Sequence, residues 1–209
     1  MIGKLLDAIR GRLGLLARRR APIRTAEDFR AFLEGEAAHV TQSAVYDYLR
    51  ARAGRFAPQL FREAPFLEAL EVTRWEAFPA VLADLGVIAL GELRRQGADP
   101  TALSQRLTEL YRATLARHPA PAHRAEGWAG YDTDLARRLA ASCAAPVQTP
   151  DVVAGHSGTV IFKNLPLHPD VRRLDEEMVV NNVRFRVLRS WETFKARVDL
   201  PELAAALAR

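Results

Sequence analysis

Four of the five histidines lie in two stretches that the sequence predicts to be irregular. They are His118, His123, His156 and His168. The first two belong to the Pro- and Gly-bearing segment 118–131, and the last two belong to the segment 145–169. Imidazole titrates near neutral pH, so it serves as a general acid, a general base or a metal ligand. If the two loops converge, the four side chains form a catalytic pocket for a small molecule. The alternative is that all four lie in water.

The other polar motifs do not complete a catalytic arrangement. The stretch VVAGHSGTVIF resembles a nucleophile elbow centred on Ser157, but its fifth position is Thr159, and no histidine follows His168 to complete the triad order. We therefore expect a local turn there. Glu36 and His39 have the Glu-x-x-His spacing of di-iron bundles, but the second copy that such a site requires is missing. We predict no metal and no cofactor, and a non-catalytic protein is favoured over an enzyme.

The elements that would position these groups are mainly helices. Apolar residues recur at helical spacing between Thr25, a typical N-cap residue, and Gly54, a typical C-cap residue. The same spacing recurs in a second helix that begins after Asp99, another N-cap residue. Between them we predict helices at 65–78 and 79–96, with a proline at position 79 that either opens the second helix or kinks one continuous helix. A short helix near 133–144 follows. The fold class is therefore mainly α, a helical bundle-like domain at 25–209 preceded by an arm at 1–24.

The C-terminal segment has two competing periods. As a helix it aligns an apolar ladder that consists of Val171, Leu174, Met178, Phe185 and Leu188. As a hairpin, MVV-NN-VRFRV offers an amide turn and strict alternation. We favour the helix, because its period continues on both sides without Gly or Pro. Thr159–Phe162 could form one short strand. Within a helix, Asn181 and Asn182 would fix the register of the bundle, or else contact a ligand.

The positive charge is concentrated at the N-terminal end of the chain. The net charge is +5. Residues 1–24 contain seven basic side chains and one acidic side chain, a net +6, which leaves −1 for the rest. A nearly neutral body argues against a nucleic-acid-binding protein, although the basic arm keeps that possibility as a third hypothesis, with binding that weakens steeply as salt rises. The single Cys143 excludes an internal disulfide.

The first twenty residues, MIGKLLDAIRGRLGLLARRR, place six apolar side chains on one face of a helix, and Leu15 falls outside that face. This apolar face consists of Ile2, Leu5, Leu6, Ile9, Leu13 and Leu16. The basic side chains that follow are Arg18, Arg19 and Arg20. Three glycines each cost about 1 kcal/mol relative to alanine, so the helix needs a surface on which to form. The interface of an anionic membrane would bury the apolar face and attract the arginines. The alternatives are the protein's own core, an oligomer interface or a targeting peptide.

Together these patterns favour a non-catalytic helical adaptor or assembly factor. We expect residues 1–20 to hold it at the cytoplasmic face of a membrane as a peripheral protein, while its loops and helix faces bind a protein partner. An enzyme that uses the loop histidines on a small molecule is the alternative. The sequence leaves the oligomeric state open.

Overall fold

The computed structural model describes residues 21–208, and this part of the chain is almost wholly helical. The mainly α fold class is confirmed. The longer helices are α1 (Ala26–Ala53), α2 (Ala64–Arg95), α3 (Pro100–Leu115), α4 (Tyr131–Ala144), α5 (Gly155–Asn164), α6 (Glu176–Arg197) and α7 (Leu200–Leu207). Short helical turns occupy Gly54–Phe56, Ala57–Leu60, Pro150–Val153 and Pro169–Arg172. The arm side chains predicted to bind a membrane lie outside the described residues.

Helices α1 and α3 begin where their capping residues predict. The Thr25 hydroxyl accepts a hydrogen bond from the Asp28 amide at 3.0 Å, and the Asp28 carboxylate accepts one from the Thr25 amide at 3.1 Å. This reciprocal pair is a capping box, which satisfies two amides that no helical carbonyl can reach. Asp99 caps α3 through the amides of residues 101 and 102. The apolar faces predicted for both helices are buried, which confirms the helical period in this half of the chain.

Helix α2 is the central element of the bundle. It runs without interruption through Pro79, so the proline lies inside one helix rather than between two. Every residue from 77 to 93 is buried. A helix that is covered on all sides must be surrounded by other elements, and α1, α3, α4 and α5 pack around this one. Its second half therefore forms the middle of the core.

The segment 145–169, predicted from the sequence to be irregular, contains helix α5 and a helical turn. Thr159–Phe162 belong to α5, so the prediction of a strand there is wrong. The only β feature within residues 21–208 is an isolated bridge between Ile23 and Val198. Two glycines in α5 disfavour a helix locally. Gly158 is required because a Cβ at this position would lie 2.9 Å from the Val180 Cα of α6. Close packing between α5 and α6 overrides the local propensity.

The C-terminal segment is a helix, as the sequence favours, and the hairpin is not formed. The ladder predicted to be its buried face is instead largely exposed. The core side of α6 is formed by a second apolar series, which consists of Val179, Val180, Val183, Val187 and Phe194. Both series have helical spacing, so periodicity alone could not choose between them. The series with the valines is the buried one, because a valine at position 180 lets the backbone of Gly158 approach α6 closely.

The two asparagines of α6 also face outward, which corrects the expectation that they fix the register inside the bundle. Asn181 Oδ1 accepts a hydrogen bond from Arg184 at 3.0 Å, and Asn182 Oδ1 accepts one from Arg186 at 2.7 Å. Both amides are exposed. They therefore form part of a surface rather than part of the core.

The chain enters the described part beside the C-terminal end of α6. The Ile23 amide donates to the Arg197 carbonyl at 2.9 Å, and the Asp199 amide donates to the Ile23 carbonyl at 3.0 Å. The Ile23 side chain is fully buried. The division of the chain near residue 24 stays a prediction, but Ile23 itself packs with the helical core.

Candidate functional site

A cavity of about 360 Å³ opens between α2, α4, α5 and the loop that precedes α4. This volume lies in the range of small-molecule sites. Two tyrosines and several small apolar residues form most of its wall: Tyr111, Tyr131, Pro79, Ala80, Ala83 and Val160. The charged and polar side chains of the lining are Glu76, Arg124, Asp134 and His156. An apolar wall with a few convergent polar groups is typical of a ligand site.

Glu76 is the centre of the polar network at this cavity. Its Oε1 accepts a hydrogen bond from His123 Nε2 at 2.8 Å and one from Arg124 Nη1 at 3.2 Å. Arg124 Nη1 also donates to the Tyr131 hydroxyl at 2.8 Å. Because a carboxylate oxygen only accepts, His123 donates from Nε2 in this contact. The network ties the loop before α4 to the middle of α2.

The protonation of these groups follows from burial and from their partners. Burial alone would raise the pKa of Glu76, but hydrogen bonds from His123, Tyr131 and Arg124 hold that pKa below its usual value. Burial raises the pKa of Tyr131, and its contact with Glu76 adds to the effect. At neutral pH the cavity therefore presents an ionised carboxylate and a neutral phenol.

His156, at the start of α5, also lines the cavity and is partly open to solvent. Partial desolvation lowers its pKa, and the positive charge of Arg138 lowers it further. A neutral imidazole at neutral pH can accept a proton, so His156 is the side chain of the cavity best suited to act as a base.

The structure brings two of the four predicted histidines to one place. His156 lines the cavity, and His123 holds the lining residue Glu76. His118 instead packs edge-on against Phe78, with ring centroids 5.0 Å apart, and lies 3.0 Å from Glu34 Oε1. His168 is exposed and caps a helical turn by accepting from the Asp170 amide at 3.3 Å. Neither of these two lines the cavity.

The remaining sequence motifs have structural contacts. Ser157 is buried within α5 rather than at a local turn, and its hydroxyl donates to the Ala154 carbonyl at 3.3 Å. Glu36 accepts a hydrogen bond from the Ser190 hydroxyl at 2.7 Å, whereas His39 faces solvent. Among residues 21–208, no group of three His, Cys, Asp or Glu side chains is placed to hold a metal ion.

A buried ion pair lies close to the cavity. Asp84 is fully buried in α2, and its carboxylate accepts hydrogen bonds from Arg138 of α4 and, at 3.0 Å, from the Ser157 amide in the first turn of α5. One carboxylate thus connects three helices. Asp84 was not among the residues predicted from the sequence. Its signal was a lone acid within the apolar stretch VLADLGVIAL, because a charge is rarely buried without a partner.

The outward face of α6 and the residue two positions before it form a second candidate site. We call its apolar residues the apolar ridge: Leu174, Met178, Phe185 and Leu188. The first three are 84%, 55% and 61% exposed, and Leu188 is partly exposed. A cluster of large exposed apolar side chains on one face marks an interaction surface.

Comparisons with known proteins give no family for this chain. No family model, no curated protein and no solved structure matches it. No helix within the described residues is long and apolar enough to cross a bilayer.

Replacing Glu76 with glutamine should lower the free energy of unfolding at neutral pH by about 1–3 kcal/mol, because three donors lose a charged acceptor. The pKa of Glu76 is depressed in the folded state, so its stabilisation is present above the usual value of 4.5 and is lost as the pH falls through the depressed pKa. Thermal melts of the two proteins should therefore converge in acid. Glu68→Gln, at an exposed position of the same helix, is the matched control. A gap between wild type and Glu76→Gln that stays constant in acid would contradict this assignment.

Proposed function

We propose that this protein is a non-catalytic helical adaptor or assembly factor that works at a cytoplasmic membrane surface. Residues 1–20 bind anionic lipid, and the apolar ridge binds a protein. The observation that carries the docking part of the proposal is the exposure of the ridge: of the seven large apolar side chains exposed within residues 21–208, three belong to it.

The ridge is hard to explain as an incidental feature of the surface. Helix α6 already has a complete buried face of valines and Phe194, so a second apolar series adds nothing to the core. Exposing Met178 and Phe185 to water is unfavourable by about 25 cal/mol for each Å² of apolar area. A partner that covers them would recover this free energy, which supports a docking function for this face.

The membrane part of the proposal is supported by the composition of residues 1–20. Six of their apolar side chains fall on one face when the segment is plotted as a helix, with Leu15 outside it, and their glycines make a helix marginal in water. Such a segment gains structure when it binds an interface, and each arginine adds about 1 kcal/mol of attraction to an anionic surface. A segment of this kind holds a protein reversibly rather than permanently.

Vesicle binding tests the apolar face of the arm. The double variant Leu6→Glu/Leu13→Glu removes two side chains from that face, and we expect binding to anionic vesicles to weaken at least about tenfold. Leu15→Glu is the matched control, because position 15 falls outside that face, and it should change binding far less. Equal losses in both variants would contradict the helical arrangement. Binding to duplex DNA that matches the binding to vesicles would favour the nucleic-acid hypothesis instead.

The cavity supports a second candidate function, an enzyme that acts on a small molecule. The specific observation is that His156, Glu76 and Tyr131 line one cavity. In this function His156 accepts a proton from the substrate, while the phenol proton of Tyr131 stays in its hydrogen bond to Glu76. Thermal-shift screening of small molecules should find ligands that stabilise wild type and fail to stabilise Val160→Trp, which fills the cavity. A screen in which both proteins respond alike would remove this candidate.

A further inference from the structure

We propose that the partner of the apolar ridge is a second copy of this chain, bound as an antiparallel α6 pair. This inference rests on the proposed docking function of the ridge and names its occupant. Three features of one face support it: the spacing of its apolar residues, its central amide and the charges beside it.

The ridge has the spacing of a coiled-coil seam. Within α6, Met178, Asn181, Phe185 and Leu188 succeed one another at intervals of three, four and three residues. Leu174 lies four positions before Met178, in the turn that leads into the helix. This alternation is the heptad pattern that pairs two helices along a narrow contact. Asn181 is the single polar residue of the series, and it is exposed together with its neighbours.

An antiparallel two-fold axis at Asn181 makes this seam self-complementary. Met178 then faces Phe185 of the second copy, Asn181 faces itself, and Leu188 lies toward the turn before α6 of the second copy, which contains Leu174. In such an isologous interface each contact occurs twice. A flexible methionine packs well against an aromatic ring, so the layers beside the amide are complementary.

The central amide has the hydrogen-bonding capacity that this arrangement needs. Asn181 Oδ1 accepts from Arg184 of its own helix at 3.0 Å, which leaves both N–H donors of the amide available to the second copy. A single asparagine in an apolar seam fixes register and orientation, because any shifted pairing would bury the amide without a partner. Asn181 thus sets the register between two molecules rather than inside one bundle.

The charges that flank the seam match the same register. Glu177 and Arg184 lie on one side of the ridge, two turns of helix apart. In the antiparallel pair, Glu177 of each copy lies beside Arg184 of the other, which gives two opposite-charge contacts. A parallel pair in register would instead place Arg184 beside Arg189 of the other copy, so charge favours the antiparallel orientation.

The mass of the full-length protein in solution, measured by light scattering without lipid, tests this pairing. We expect twice the 23.2 kDa of one chain. Phe185→Lys should raise the dissociation constant of the dimer at least about tenfold. Phe56→Lys is the matched control, because Phe56 is 59% exposed but lies outside α6, and it should leave the mass unchanged. A monomeric wild type, or a dimer that is indifferent to Phe185→Lys, would overturn the inference.

A mixing experiment tests the orientation. Glu177→Arg alone and Arg184→Glu alone each place like charges across the seam, so each variant should dimerise more weakly than wild type. An equal mixture of the two should recover a dimer, because every flanking contact in the mixed pair again joins one arginine to one glutamate. A mixture that is no more dimeric than either variant would overturn the antiparallel register. Deleting residues 2–20 should leave the dimer intact, so this test can fail while the membrane proposal stands.

Discussion

Replacing Arg138 with methionine should destabilise the protein by about 3–5 kcal/mol, because it leaves a fully buried carboxylate without its counter-charge. Asp84 is completely buried, and Arg138 is only 15% exposed. Burial already raises the pKa of Asp84, and the attraction of Arg138 opposes that rise. Urea denaturation followed by circular dichroism would measure the loss.

The neighbouring residue provides the control for this prediction. Arg137→Met removes the same charge from a side chain that is 76% exposed and paired with Asp134, and such a surface pair contributes about 0–1 kcal/mol. The double variant Asp84→Asn/Arg138→Met removes both buried charges and keeps an acceptor for the Ser157 amide, so it should recover much of the stability. If Arg138→Met costs no more than Arg137→Met, the buried pair does not hold these three helices together.

Replacing Gly158 with alanine should cost about 1–3 kcal/mol, although alanine is normally the better helix former. The added Cβ would lie 2.9 Å from the Val180 Cα and 3.2 Å from its Cγ1. The nearest atom belongs to the backbone of α6, so the contact can be relieved only by moving two helices apart.

The same substitution at Gly35 should have the opposite sign. Gly35 lies within α1, and a Cβ added there would have no neighbouring side chain within 4 Å, so Gly35→Ala should raise the free energy of unfolding by about 0.5–1 kcal/mol. Paired thermal melts of the two variants would show whether close packing or intrinsic propensity controls each position. A lowered melting temperature in both variants, or in neither, would contradict the description of the α5–α6 contact.

Helices with one apolar face and clear capping residues could be predicted from the sequence. Helices in which two apolar series compete for the buried face could not. Helix α1 has one helical period and a capping box, so its bounds and its buried face were predictable. In α6, two apolar series share one helix, and the choice depends on the close approach of Gly158, which is a tertiary contact. In α5, the two glycines led to the prediction of an irregular segment, because glycine has a low helix propensity. The close packing that Gly158 allows against α6 stabilises the helix and cannot be seen in the sequence.

The candidate site was predictable only in part, because its central residue carries no motif. His156 and His123 were candidates from their residue type and their place near loops. Glu76 lies in an ordinary helical stretch, and its importance comes from a loop residue 47 positions away in the chain. Asp84 was detectable in principle as an isolated acid among apolar residues. Its partner Arg138 was not, because one arginine among many carries no information about its contacts.

Attachment to a membrane surface through residues 1–20 is the core of the proposed function, and deletion of residues 2–20 is its sharpest test. Cells that produce the full chain or the shortened chain would be separated into membrane and soluble fractions. We expect the full chain to sediment with the membranes and the shortened chain, still folded by circular dichroism, to move to the soluble fraction. The same distribution for both proteins would mean that the arm does not hold the protein on the membrane.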